Sequence, residues 1–166
     1  MVARQARHMS RLVEDLLDVT RISRDGLKLC KERLDFREPV DAALEATATF
    51  IKVRGHKLEV VRPAHPIWIH GDATRLQQVV ANLLLNSAAY TEPGGRIDVE
   101  VEALASLVTL RVKDDGNGIL PEALERIFEP FTRSCTSLRA AHEGLGLGLA
   151  IVRSVVEHHG GSVEAR

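Results

Sequence analysis

Apolar positions return along this chain at helical and at strand spacing, and each spacing marks a different element. Over residues 3–24, Met9, Leu12, Leu16 and Val19 recur at three- and four-residue steps, with Val13 and Leu17 widening the stripe. Arg4, Arg7, Arg11, Glu14, Asp15, Asp18 and Arg21 fill the opposite face. That period predicts an amphipathic helix with a coiled-coil-like seam, which needs a partner helix to cover it. Asp25-Gly26 brings turn chemistry to its end, so the boundary is placed there and the chain is expected to divide into 1–26 and 27–166.

Past that boundary the rhythm changes several times. Leu27 to Phe36 alternates as a short strand, and Pro39 is expected to open a helix to about Arg54, with Ala42, Ala43, Ala46 and Phe50 among its apolar positions. Two short strands are expected around Leu58–Val61 and Ile67–Ile69, broken by Pro63 and Pro66. Asp72 is placed to cap a helix reaching about Tyr90, whose interior (VVANLLLN) is apolar nearly all round, as in a buried helix. Pro93-Gly94-Gly95 then turns the chain into two alternating strands, Arg96–Leu104 and Leu107–Lys113. From Pro121 the pattern weakens. A short helix to about Ile127 precedes Phe128-Glu129-Pro130-Phe131 and a polar stretch to Glu143. A glycine cluster, an apolar helix (LAIVRSVVEHH) closed by Gly160-Gly161, and a strand starting at Ser162 complete the reading. These elements predict an α+β fold, a two-layer sandwich with helices on one face of a mixed sheet.

Composition narrows the function. The formal net charge is −1 and aromatic residues make up 4%, which argues against a polyanion binder or a stacking platform for single-stranded nucleic acid. No apolar run approaches the ~18 residues of a membrane span, so this segment is expected to make no direct membrane contact. Cys30 and Cys135 match no CxxC spacing and read as two free thiols in a reducing, cytoplasmic setting.

Three clusters carry candidate chemistry. Asn82 and Asn86 lie at i and i+4, one turn apart on one helical face, and a buried helix rarely tolerates primary amides without partners. Helix-to-loop tethering explains such a pair as well as ligand binding does. Asp114-Asp115-Gly116-Asn117-Gly118-Ile119 directly follows a strand; its glycines permit close approach to the backbone, and its first carboxylate can accept from an amino group. Taken alone, it is also a plain turn. Gly144-Leu145-Gly146-Leu147-Gly148-Leu149 opens a helix, where backbone N–H groups favour a phosphate. It is neither a Walker A loop nor a Rossmann fingerprint.

In order and spacing, the clusters resemble the ATP-binding catalytic domain of sensor histidine kinases, within the wider gyrase, chaperone and mismatch-repair ATPase superfamily. NLLLNSAAYT is similar to that family's asparagine box, DDGNGI to its first glycine box, IFEPFTR to its phenylalanine box and GLGLGLAIV to its second glycine box. HHGGSVEA resembles the following helix-to-strand step, and RQARHMSRLVEDLLDVTRIS the second helix of a dimerisation hairpin. The resemblance implies a Bergerat-type fold that binds ATP and Mg²⁺. Asn86 would give its oxygen to the metal, and Asn82 would sit beside the phosphates where related hydrolases carry a water-activating glutamate. Asp114 would read the adenine amino group, while Gly116, Gly118 and Ile119 shape the purine slot. Tyr90, Arg133, Gly144, Leu145, Gly146, Leu147 and Gly148 complete the implied nucleotide set. Residues from about Leu120 to Glu143 would form a lid, anchored by Phe128 and Phe131.

The chain departs from the family pattern in two places. Ala89 stands where the family often carries a phosphate-contacting lysine, and Arg133 or Arg139 are the candidates to replace it. His8 is followed by Met9 rather than an acidic residue, and no other histidine fits the phosphoacceptor context. The acceptor is therefore expected upstream of Met1. The implied partners are the histidine-bearing helix of the same hairpin, a second copy in a homodimer, and a response-regulator receiver domain. An anti-sigma-type serine kinase and a non-enzymatic ATP-sensing scaffold are the alternatives.

Overall fold

The computed structural model describes residues 27–132 and 145–166. The amphipathic helix expected over 3–24, and Arg133, Arg139 and Gly144, lie outside the described residues. By packing, the chain forms two compact units, Leu29–Gly118 and a second that contains Ile119–Arg166.

In the first unit the order is β1 (Glu32–Asp35), α1 (Arg37–Val53), β2 (Lys57–Val61), β3 (Trp68–Gly71), α2 (Ala73–Tyr90), β4 (Arg96–Leu104) and β5 (Leu107–Asp114). The strands make two small sheets rather than one. β1 pairs antiparallel with β3, and β4 lies between a parallel β2 and an antiparallel β5. The strand expected from Leu27 to Phe36 shortens to four residues, because only Glu32–Asp35 find partners on β3.

The core collects one face of each element. Ile97, Val99 and Val101 of β4 alternate inward against Val40 and Ala43 of α1 and Val80, Leu84 and Ala88 of α2. On the outward face Arg96 pairs with Glu59 and Asp98, and Arg111 with Glu100 and Glu102. These are exposed pairs, all across strands except Arg96–Asp98 within β4, and worth little individually. Of the eighteen residues of α2 only Thr74 is exposed, as its apolar interior required.

Asp72 caps α2 as expected: it is extended, and its Oδ1 accepts the Arg75 N–H at 3.1 Å. Its Oδ2 accepts the Cys30 N–H at 2.9 Å, so one carboxylate also fastens the entering chain. Helix α1 begins two residues before Pro39. Proline falls in the first turn, where its missing N–H costs nothing. Its end is a Schellman motif, in which Gly55 at φ +71° donates to the Lys52 carbonyl and His56 to that of Ile51.

In the second unit the described elements are α3 (Pro121–Leu124), a run of turns, and α4 (Gly148–His158). Gly160 and Gly161 donate to Glu157 and Val156, the same Schellman closure that the glycine pair predicted. His158 and His159 hydrogen-bond back through Nδ1 to the Ser154 and Val155 carbonyls, at 2.7 and 2.8 Å, which is the helix-end role. Residues 162–166 form no strand, since no described strand pairs with them. Phe128 is buried and lies under the Arg153 guanidinium at 5.1 Å from its ring centre. Phe131, expected to anchor beside it, is instead 61% exposed. Its backbone turns at φ +62° after Glu129-Pro130, and its N–H is spent on the Gly146 carbonyl. No helix among the described residues is long and apolar enough to cross a membrane.

Asp35 at the end of β1 is buried and accepts four hydrogen bonds, from the Arg37 side chain (two), the Arg37 N–H and the Ile67 N–H. The Arg37 side chain, above all, holds this carboxyl well below its ordinary 3.8, at about 2. A group whose folded pKa is depressed stabilises the fold above its unfolded pKa and loses that contribution as pH falls through the folded one. The Asp35 contribution should therefore be complete above pH ~4 and vanish as pH approaches ~2. Asp35→Asn should cost ~1.5–3 kcal/mol at neutral pH, from the loss of charged hydrogen bonds, and flatten that part of the acid-denaturation curve. Urea melts across the acid range check both.

Candidate functional site

Helix α2 carries a continuous polar stripe through its otherwise apolar surface. Arg75, Gln78, Asn82 and Asn86 follow one another at three- and four-residue steps, so they share one face, and Ala89 continues it without a polar group. Asn82 is 4% exposed and Asn86 half-buried. The two amides predicted to act together are thus on one stripe of a helix that the core prevents from rotating. Arg75 Nη1 donates to Gln78 Oε1 at 2.9 Å, one turn before Asn82.

The loop after β5 meets the end of α2. Asn117 donates its N–H to the Tyr90 carbonyl at 3.3 Å, and Gly116 donates to Asp114 Oδ1 at 3.1 Å. At Gly116 the steric reason for glycine is direct. An added Cβ would stand 2.6 Å from the Tyr90 carbonyl oxygen and 2.9 Å from Asp114 Oδ1. At Gly118 it is conformational, since the backbone sits at φ +67° with open space around it. Asp114 itself is half-buried, and Ile119 is 40% exposed.

Several supports of this region went unread in the sequence. Asp115 braces the loop: its Oδ1 accepts the Arg96 N–H at 2.7 Å and its N–H returns to the Arg96 carbonyl at 3.2 Å. His56 is buried and donates through Nε2 to the Ala88 carbonyl at 3.0 Å, tying the α1–β2 joint to the last turn of α2. Thr91, 2% exposed, closes that turn. Single polar residues of this kind have no periodicity, and their contacts are distant in sequence, so only buried geometry reveals them.

In the second unit, Gly146 stands at φ +71° and Leu147 is buried at 1% exposure just before α4. What Leu147 offers a ligand is therefore backbone. Leu145 is 42% exposed. Gly148 begins α4, whose N-terminus favours an anion.

The donor set suits a magnesium nucleotide. Among the described residues no three His, Cys, Asp or Glu converge. A hard divalent ion would then take most of its oxygens from phosphate and water, with an amide oxygen such as that of Asn86 as the protein's share.

The chain matches the family described as histidine kinase-, DNA gyrase B- and HSP90-like ATPases over residues 71–166, and it belongs to that family. It is an ATP-binding domain. Relatives within the family include sensor histidine kinases. It is 39% identical over 166 residues to the sensor histidine kinase TrcS of Mycobacterium tuberculosis, covering 97% of this chain and 32% of that protein. The fold is shared with the solved mycobacterial sensor histidine kinase MprB, with a TM-score of 0.68, 34% identity, and 81% of this chain and 83% of that one covered. Full-length ShkA in complex with AMPPNP gives a TM-score of 0.80 at 28% identity, over 97% of this chain and 33% of that one. The chain thus spans about a third of the length of TrcS.

Gly116→Ala should displace the loop from Tyr90, because carbonyl and carboxylate both block the new methyl group. The expected cost is ~1–3 kcal/mol, as for other overpacked sites, with a loss of nucleotide affinity larger than Gly118→Asn produces. Thermal melts and calorimetric titration with ADP measure the two effects.

Proposed function

We propose that this chain is the ATP-binding catalytic part of a sensor histidine kinase, which transfers the γ-phosphoryl group of Mg·ATP to a histidine outside these 166 residues. The observation that carries the reading is the junction of the Asn82–Asn86 stripe with the Asp114–Gly118 loop through the Asn117–Tyr90 hydrogen bond. Asp114 and the two amides thereby belong to one compact unit.

In this reading Asp114 accepts from the adenine amino group, and Gly116 and Gly118 let the purine approach the backbone beside Ile119 and Tyr90. Asn82 lies along the phosphates. An amide is no general base, so this position cannot activate water as a glutamate would, and transfer is favoured over hydrolysis. Asn86 supplies an oxygen for Mg²⁺, which neutralises phosphate charge when bound. The backbone of Leu145, Gly146, Leu147 and Gly148, with Gly144, takes the phosphate end. Arg133 or Arg139 supplies the positive charge that Ala89 lacks.

The acceptor imidazole lies on the paired helix of a dimerisation hairpin, whose second helix residues 1–26 resemble. In the intact homodimer the phosphoryl group then passes to an aspartate of a response-regulator receiver domain, in the cytoplasm. One observation favours a second reading: with Ala89 in the lysine position, an ATP-sensing scaffold without transfer activity has the same nucleotide geometry.

Two outcomes test the proposal. Asp114→Ala should weaken ADP binding at least tenfold, since a charged hydrogen bond in a partly dry slot is worth ~1.5–3 kcal/mol; unchanged affinity in calorimetry rejects the adenine role. Incubated with γ-labelled Mg·ATP, the chain alone should acquire no acid-labile, base-stable label. Adding a hairpin fragment with the family's acceptor motif should give label on that fragment only, slowly, because the encounter is bimolecular. Nucleotide binding without any transfer would favour the scaffold, and label on His8 would place the acceptor within this chain.

A further inference from the structure

We propose that Asp115 is a positioning residue that sets this chain's preference for a 6-amino over a 6-oxo purine, by lending its carboxylate to the last rung between β4 and β5. The inference rests on the nucleotide reading above, in which Asp114 faces the base.

The β4–β5 ladder pairs Ile97 with Asp114, and one step further the same register sets Arg96 opposite Asp115. In an antiparallel pair, opposed residues that are hydrogen-bonded exchange two backbone bonds. Here only one of the two runs from backbone to backbone: the Asp115 N–H reaches the Arg96 carbonyl at 3.2 Å. The return bond, from the Arg96 N–H, goes to Asp115 Oδ1 at 2.7 Å. A side chain thus completes the rung that a continuing strand would complete with its own carbonyl, and β5 ends at Asp114. The carboxylate lies close over Gly95, where an added Cβ would stand 2.6 Å from Oδ1. Gly95 in turn accepts the Lys57 N–H at 2.8 Å, so the rung is anchored on the start of β2 as well.

This exit from the sheet sets Asp114. Its Oδ1 accepts the Gly116 N–H at 3.1 Å, just beyond the rung, and Oδ2 is the oxygen offered to a base. The Asn117 N–H on the Tyr90 carbonyl, at 3.3 Å, holds the other end of the turn. A carboxylate only accepts, so it takes the N–H of a 6-amino group and repels a 6-oxygen. Discrimination of this kind depends on where that one oxygen sits, because a 6-oxo purine makes no bond there to lose.

The test uses the full chain and five proteins: wild type, Asp115→Asn, Asp115→Glu, Asp115→Ala and Arg96→Ala. Asparagine keeps the accepting oxygen without the charge. Glutamate keeps the charge but carries its oxygen one methylene too far, and Arg96→Ala leaves the backbone N–H in place. Each is melted thermally and titrated calorimetrically with Mg·ADP and with Mg·IDP, the inosine analogue. We expect wild type to prefer ADP at least tenfold. Asp115→Ala and Asp115→Glu should lose about 5-fold in ADP affinity with IDP changed less than twofold, while Asp115→Asn and Arg96→Ala keep the wild-type ratio. In the free protein, the Arg96 amide proton should exchange faster in Asp115→Ala and Asp115→Glu than in wild type or Asp115→Asn. A wild-type ratio in both Asp115→Ala and Asp115→Glu overturns the inference, including where both nucleotides weaken equally, as a merely structural role would have it. Loss in Asp115→Asn with retention in Asp115→Glu also overturns it, because the effect is then one of charge. If Asp115→Ala does not fold, Asp115→Glu decides. If wild type binds neither nucleotide, the ATP reading fails and the selectivity role falls with it, whereas unchanged Arg96 exchange in every variant rejects the rung independently of any nucleotide.

Discussion

Helix α2 has to be the packing centre of its unit and the wall of its site at the same time. Val80, Leu84 and Ala88 are fully excluded from solvent, and they lock the helix against α1 and the inner face of β4. Rotating α2 by even one residue position would drive the Asn82–Asn86 stripe into that core or pull leucine out of it. Close packing admits no such intermediate setting. The direction of the two amides is therefore a consequence of core packing, and the Asp72 cap sets where the helix begins.

The other end of α2 is governed by a cluster of short polar contacts. His56 holds Ala88, Asn117 holds Tyr90, Gly94 donates to the Arg54 carbonyl at 3.0 Å, and Asp115 grips Arg96 through two bonds. Each contact joins segments far apart in sequence: a helix terminus, the turn before β4 and the loop after β5. The Asp114–Gly118 loop acquires its position from this cluster rather than from its own sequence. Gly116 is the point at which the arrangement tolerates nothing larger, with the Tyr90 carbonyl on one side and its own strand-end carboxylate on the other.

Asp35 does at the β1–α1 joint what Asp115 does here. Its buried carboxylate gathers the β1–α1 joint and the segment leading into β3, and Arg37 extends that tie to the Ala64 carbonyl at 2.5 Å. Irregular segments without a ladder of their own need such a centre, because their backbone donors must be satisfied somewhere.

The sequence by itself determined the elements whose signals are local: the Asp72 cap, the helix end closed by Gly160 and Gly161, the alternating β4–β5 pair, and the nearly all-buried α2. It also determined the family, since the asparagine, glycine and phenylalanine boxes are contiguous strings with an order that can be read without coordinates. The helix period alone placed Asn82 and Asn86 on one face. Only the tertiary structure decided that the strands divide into two sheets, that residues 162–166 pair with no described strand, and that Phe131 faces outward while Phe128 is buried. It also revealed Asp35, His56 and Asp115 as supports, and the bond between Arg75 and Gln78 one turn before Asn82. The reason is physical. Periodicity and turn chemistry act over a few residues and leave their mark on the string, whereas strand partners and buried hydrogen bonds are chosen by groups tens of residues apart, which meet only after the core has closed.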